Sequence, residues 1–383
     1  MQEPTEEQKI RELLKHSDLK NVQLAFSLLE GSEMLADIKL SLERRRVLLD
    51  WLKKYQKIKY TKRTSDAEAY WLVEQLEEVF KEDGGRYATE IPSEIDELVN
   101  VRYLAIEDSV KEIPEEIGNL AKLEELYLGG NPITILPESI GKLASLKQLE
   151  VANCKLTSLP TSIGDLQNLE QLDLHGNELE AIPHTLGSLK QLFKLDLSIN
   201  KLSQLPESLK SLMNLRELNI NDNQLIELPS NLDGLKKLQK LDISDNQLRE
   251  LPSQIETLDE LKELLASSNQ LQYIPAETGN LKNIESLDFS WNCLTSFAVL
   301  NGSYPSLKYL MLRNNQFVTI PTDLHKLPQL ERVYLADNKI SEVSDDVQLL
   351  TSLKVITLKN NPLSEDEEDK IFDLLPDVDI RFD

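Results

Sequence analysis

The sequence predicts an α/β solenoid, in which short parallel strands stack in succession, preceded by a small all-α domain. Three observations predict this fold class: a leucine ladder with a constant step, an Asn at a fixed place in the step, and helical periodicity in the first 88 residues. The boundaries that follow are 1–88 for a helical N-terminal domain of about four helices, 89–363 for an array of about twelve strands, and 364–383 for a C-terminal cap.

The ladder is the strongest signal in the chain. Within one unit, Leu172 and Leu174 alternate as in a short strand that places both side chains on one face. One unit cannot bury these leucines alone, so neighbouring units must stack. An irregular unit begins at Val101, and every later step is 23 residues. The ladder positions are Leu123, Leu146, Leu169, Leu192, Leu215, Leu238, Leu261, Ile284, Leu307, Leu330 and Leu353.

The ninth position of almost every unit is Asn. Its amide both donates and accepts, so it can satisfy the backbone groups that the chain buries as it turns after the strand. Cys154 takes this position once, where we expect a small buried side chain with a weak donor. A Leu-Pro step then presets the backbone for a short turn. That step is lost at Phe297-Ala298 and at Val343-Ser344.

The pattern LxxLxLxxNxLxxLPxxIGxL resembles the leucine-rich repeat family in its 23-residue Leu-Pro variety. It is similar to that of soluble bacterial leucine-rich repeat proteins and of intracellular Ras-group leucine-rich repeat proteins. The resemblance implies a horseshoe with a parallel β-sheet on its concave side, which acts by binding other proteins. It names no partner. Beyond the array, Ser364 and Glu367 have the spacing of a capping box, so we expect a C-terminal cap helix.

Composition narrows the function classes. The net charge of −24 disfavours nucleic acid or an anionic membrane as the main partner, and two cysteines cannot form a disulfide framework. The first residues lack the apolar stretch of a secretory signal, so we expect a cytoplasmic protein. The histidines and cysteines lack metal-ligand spacing and no phosphate-binding glycine motif occurs, so we expect no enzyme, no metal and no cofactor.

The segment 44–63 departs from this acidic character, with nine Lys and Arg against one Asp. It could serve a membrane- or nucleic-acid-associated adaptor, it could be a solvated helix face, or it could dock onto the acidic array. The residues that would carry the adaptor function are Arg44, Arg45, Arg46, Lys53, Lys54 and Lys57.

The predicted function is a non-enzymatic scaffold that binds partner proteins, of unknown identity, through outward positions on the concave face. Large apolar and aromatic side chains with Arg dominate binding energy at interfaces. The predicted partner-binding residues are Leu265, Trp291, Tyr309, Met311, Arg313, Arg332, Tyr334 and Asp288. A weaker secondary set is Tyr127, Phe193, Asp173, Asp196 and Asp242, where the aspartates are better explained as residues that keep an exposed strand soluble.

Both interruptions of the Leu-Pro step border the main cluster. The sequence leaves open whether this is coincidence or a local change of curvature that shapes the site.

Overall fold

The computed structural model describes residues 4–29, 35–55, 61, 63–79, 88–107, 109–300 and 303–382. It divides into two compact units, residues 1–169 and 170–383. The predicted domain boundaries at residues 88 and 363 stay a prediction.

The first unit begins with four α-helices within the described residues and continues into four parallel strands that pair in chain order. Its helices are α1 (Glu6–Leu14), α2 (Leu19–Leu28), α3 (Leu35–Tyr55) and α4 (Asp66–Glu74). Its strands are β1 (Glu78–Val79), β2 (Tyr103–Ala105), β3 (Glu125–Tyr127) and β4 (Gln148–Glu150).

The second unit consists of ten parallel strands, again paired in chain order, and one α-helix near its end. Its first five strands are β5 (Gln171–Asp173), β6 (Lys194–Asp196), β7 (Glu217–Asn219), β8 (Lys240–Asp242) and β9 (Glu263–Leu265). They are followed by β10 (Ser286–Asp288), β11 (Tyr309–Met311), β12 (Arg332–Tyr334), β13 (Val355–Thr357), α5 (Glu365–Leu374) and β14 (Asp379–Arg381).

The strands β2 to β13 correspond to the twelve strands that the ladder predicts, each beginning two residues after a ladder position. The α/β solenoid is therefore confirmed. The terminal strands β1 and β14 were not predicted. Helix α5 begins after Ser364, whose hydroxyl accepts a hydrogen bond from the Glu367 N–H.

The Asn ladder does what its chemistry predicts. The Asn269 carbonyl oxygen accepts the Leu248 N–H of the preceding unit at 2.9 Å, and its amide donates to the carbonyls of Ile243 and Ala266. Cys154 substitutes with a buried thiol that lies 3.3 Å from the Leu128 carbonyl oxygen. Burial raises the pKa of that thiol. Each unit is thus tied to the next by hydrogen bonds that the low-dielectric interior strengthens.

The two interruptions of the Leu-Pro step have different structures. Ser344 replaces Pro and caps a 3₁₀ turn at Asp345–Leu349, so the turn is kept. In the other unit no 3₁₀ turn forms in its described residues. There Tyr304 is buried and stacks on Phe297 at 5.5 Å between ring centroids. This repeat therefore combines the loss of the turn with a buried aromatic pair.

Arg45, within the basic segment, is not part of a free basic surface. Arg45 is only 3% exposed, its guanidinium bonds Glu74 at 2.8 Å and Glu97 at 3.0 Å, and it lies 3.6 Å from the ring centroid of Tyr70. Because a buried Arg with two carboxylate partners cannot reach an outside ligand, the prediction that it serves a membrane or nucleic acid is wrong.

Its neighbours on α3 are also paired. Arg44 bonds Asp96 and Glu97, and Arg46 bonds Asp66 at 2.7 Å. Asp96 and Glu97 belong to the 3₁₀ turn Ser93–Glu97, which precedes the repeat that begins at Val101 and which we call the first half-repeat. Arg44 and Arg45 thus bind acidic residues of the predicted array, as the docking alternative expects. Lys53 and Lys54 remain exposed, and Lys57 lies outside the described residues.

Candidate protein-binding surface

The strand face of the second unit is the surface formed by the first and third residues of its strands. In β5 to β12 the middle residue is buried and the two flanking residues reach the surface. The parallel register aligns these residues in two columns. Asp288, for example, lies between Leu265 and Met311, and Arg332 pairs with Tyr309.

From β5 to β8 this face is charged and internally paired. Lys194 lies 3.5 Å from Glu217, and Lys240 lies 3.4 Å from Glu263 on the adjacent strand. These side chains border a shallow depression of about 200 Å³ with Asp196 and Asn219 among its lining residues. We refer to the outward residues of β5 to β8 as the polar face.

The aspartates of the third column have a local role. Asp196 accepts hydrogen bonds from the N–H of Ser198 at 3.0 Å and from its hydroxyl at 2.6 Å. The same bond to the N–H two residues later is made by Asp173, Asp242 and Asp288. Each carboxylate thereby satisfies a backbone donor where the chain leaves the strand. Their presence is explained without a partner.

From β9 to β12 the same columns change character. Leu265, Tyr309, Met311 and Tyr334 are half-buried on the strand face, and we call these four residues the apolar patch. Adjacent strands are about 4.8 Å apart, so Leu265 and Tyr334 are separated by about 14 Å. The structure therefore places the predicted aromatic and aliphatic residues on the same strand face, with Asp288 between Leu265 and Met311.

Arg332 is the cation of this surface. It is exposed, its guanidinium lies 6.0 Å from the ring centroid of Tyr309, and its interaction with Tyr334 raises its pKa. Among the described residues no carboxylate lies within 4.0 Å of it. Its charge is held between two tyrosines and is not neutralised by an acid.

Arg313 differs from Arg332, although the sequence predicts the same role for both. Its Nε bonds the Asp337 carboxylate at 2.8 Å. The pKa of Asp337 is lowered, first by the hydrogen bond from Asn360 and then by Arg313. Arg313 is thus already paired at the edge of the patch.

Trp291 stands in an unfavourable backbone conformation. Its φ of 56° lies in the left-handed region, and its side chain is 52% exposed. The corresponding residues in other repeats of the second compact unit are mostly small or polar: Asp222, Asp245, Ser268, Asn314, Asp337 and Asn360. Ile199 is the other large apolar residue there, with φ 54° and 51% exposure. A bulky side chain at such a position costs conformational energy, and a half-exposed side chain gains little burial energy to offset that cost.

The secondary residues Tyr127 and Phe193 lie in different compact units. In the first unit, the Tyr127 hydroxyl lies 2.7 Å from Gln148 Oε1 and 3.0 Å from Glu125 Oε2, and burial together with Glu125 raises its pKa. In the second, Phe193 lines an open depression of about 370 Å³ with Glu170 and Arg216. Neither Tyr127 nor Phe193 belongs to the apolar patch.

The described part of the chain holds no group of three or more His, Cys, Asp or Glu side chains that could ligate a metal ion. Its helices are all too short or too polar to traverse a bilayer.

Comparisons with known proteins define the family. A model of the leucine-rich repeat region matches residues 88–204, 140–221 and 206–301, and a leucine-rich repeat model matches residues 305–363. The chain belongs to the leucine-rich repeat family. No curated protein sequence matches it.

Solved structures agree with this assignment. A leucine-rich repeat protein of Leptospira interrogans is 31% identical, with a TM-score of 0.64, over 77% of this chain and 81% of that one. A plant peptide hormone receptor, solved in complex with RGF2, is 29% identical with a TM-score of 0.57, over 72% of this chain and 50% of the receptor chain. An internalin of Listeria monocytogenes is 20% identical with a TM-score of 0.67, over 89% and 93%, and shows the shared fold alone.

Proposed function

We propose that this chain is a non-enzymatic, cytoplasmic scaffold that binds a partner protein through the apolar patch, with Arg332 and Trp291 at its margin. The observation that carries the proposal is the change along one sheet. The backbone, the buried aliphatic residues and the Asn ladder continue from β5 to β12, whereas the outward residues change from the paired charges of β6 to β8 to a set that contains Tyr309, Met311 and Tyr334 at β11 and β12.

Folding alone does not require that change. The outward positions accept charged residues in β6 to β8 without loss of register, so Tyr309, Met311 and Tyr334 are not needed to pair the strands. Tyr and Arg are enriched among the residues that contribute most of the binding energy at interfaces. Trp291 adds to this, because its position is conformationally costly and half-exposed.

The comparisons support a protein partner in general terms. The plant receptor resembling this chain was solved with the peptide hormone RGF2, and another similar structure, 25% identical with a TM-score of 0.63, is a Toll–Spatzle complex of Drosophila. Leucine-rich repeat proteins are generally binding modules and not enzymes.

The experiment is a quantitative affinity capture from the native cell with the full chain. We expect Met311→Ala combined with Tyr334→Ala to lower recovery of the captured partner about 10- to 100-fold, since truncated hot-spot residues commonly cost that much affinity. The matched control is Lys194→Ala with Glu217→Ala on the polar face, which we expect to leave recovery unchanged. Equal recovery with both double variants would refute the proposed site.

A further inference from the structure

The strand residues at the β11 to β13 end of the apolar patch carry a charge opposite in sign to that of the array. Residues beyond position 90 carry a net charge of −22. In β11 to β13, however, the first and third residues of the strands include one cation and no acid: Tyr309, Met311, Arg332, Tyr334, the buried Val355 and Thr357. One exposed cation is thus set among uncharged strand residues in an acidic molecule.

Among the described residues of the strand face, Arg332 is also a cation with no carboxylate within 4.0 Å. Lys194 and Lys240 on the polar face each have a glutamate on the next strand, and Arg313 has Asp337. Arg332 faces Tyr309 on one side and Val355 on the other. Its two tyrosine neighbours leave its planar guanidinium open to a carboxylate, for which its geometry is suited.

The patch also sets the position of that carboxylate. Asp288 separates Leu265 from Met311 and uses one oxygen for the Ser290 N–H. The Asp288 carboxylate would repel an acidic side chain of the partner placed there, whereas it could accept a hydrogen bond from a donor group. The attractive place for an acid is therefore the β12 end.

We propose that the apolar patch binds a polypeptide segment of the partner in which an Asp or Glu at the Arg332 end adjoins apolar side chains that cover Leu265, Met311 and Tyr334. This inference rests on the proposed function and specifies the partner's chemistry. The patch length of about 14 Å corresponds to about four to five residues of extended chain at about 3.3 Å per residue.

The overall charge gives this binding an unusual salt dependence. An acidic segment is repelled by the array at long range and attracted by Arg332 only at contact. Screening acts beyond about 8 Å at physiological salt. The association rate should therefore rise with added salt, opposite to the usual fall for a partner steered by attraction.

The test uses the intact chain and a displayed library of random peptides. We expect the selected peptides to carry an Asp or Glu next to apolar residues. A synthetic copy of the best peptide, measured by fluorescence anisotropy, should bind about 10-fold more weakly when its acid is replaced by the amide. With Arg332→Gln the same replacement should change affinity less than 2-fold, and Arg332→Lys should restore part of the difference.

The outcomes separate two failures. The selected peptides could lack an acid and still bind the Met311→Ala, Tyr334→Ala variant more weakly than the unaltered chain. That result would overturn this inference and leave the proposed function standing. Peptides that bind that variant as well as the unaltered chain would overturn both. Selection of basic peptides, no enrichment at all, or equal affinity with Arg332→Gln would each overturn the acidic-segment inference. Thermal unfolding of each variant verifies that these exposed changes leave the fold intact.

Discussion

The polar face and the apolar patch are two regions of one unit, built on the same backbone. In both, the middle residue of each strand is a buried aliphatic side chain, and a ninth-position Asn joins neighbouring units. On the strand face they differ in the outward side chains. The lysines of the polar face are paired with glutamates of the next strand, whereas the apolar patch presents aromatic rings beside Arg332, which has no carboxylate partner among the described residues. In a repeat fold, the interior fixes the architecture and leaves the outward columns free to differ.

The largest effect that tests this comparison is in the shared interior. Asn223 underlies the polar face and Asn292 the apolar patch, and each accepts one backbone N–H and donates to three carbonyls. We expect Ala at either position to lower the free energy of unfolding by about 3 kcal/mol, because the buried groups lose their partners. Denaturant unfolding of both variants checks this. A much smaller loss at Asn292 would show that the interior is not equivalent in the two regions.

A second effect is expected behind the apolar patch, in the repeat where Phe297-Ala298 replaces the Leu-Pro step. Burial raises the pKa of Tyr304 to about 12, while its hydroxyl bonds Thr278 at 2.6 Å. Between pH 10 and 12 the unfolded chain releases this proton and the folded chain retains it. The free energy of unfolding should therefore fall with rising pH, by about 1.4 kcal/mol per pH unit from this group.

The measurement is denaturant unfolding across that pH range for the unaltered chain and for Tyr304→Phe. The variant should lose this part of the slope. Tyr309→Phe, on the strand face, is the matched control and should keep it. An unchanged slope with Tyr304→Phe would contradict the burial of a neutral phenol at this position.

The smallest effect separates folding from binding. Trp291→Asn and Ile199→Asn each replace a bulky side chain at a left-handed position with the residue that tolerates it best. We expect both to raise the free energy of unfolding by about 1 kcal/mol. Only Trp291→Asn should weaken partner binding, since Ile199 follows β6, a strand of the polar face. If both variants bind equally well, Trp291 is not part of the interface.

Much of the candidate site was predictable because the repeat fixes its register. Once the ladder gives the strand starts, Met311 and Tyr334 must be neighbours, and both lie on the surface as predicted. The difference between Arg313 and Arg332 was not predictable, because it depends on whether a carboxylate from the next unit reaches the guanidinium. Asp337 reaches Arg313 across 24 residues of sequence, and no described acid reaches Arg332.

The sequence by itself determined the solenoid, since a constant 23-residue step of buried aliphatic residues and an Asn that can bond both neighbours are satisfied only by stacked units. Only the tertiary structure decided the fate of the basic segment. Arg45 meets Glu74 and Glu97, which are 29 and 52 residues away along the chain. Local periodicity carries no information on such a meeting, because it depends on how α3 packs against α4 and the first half-repeat. Charge pairing across that distance is a property of packing. It makes Arg45, a candidate ligand-binding residue in the sequence, part of a buried network of ion pairs.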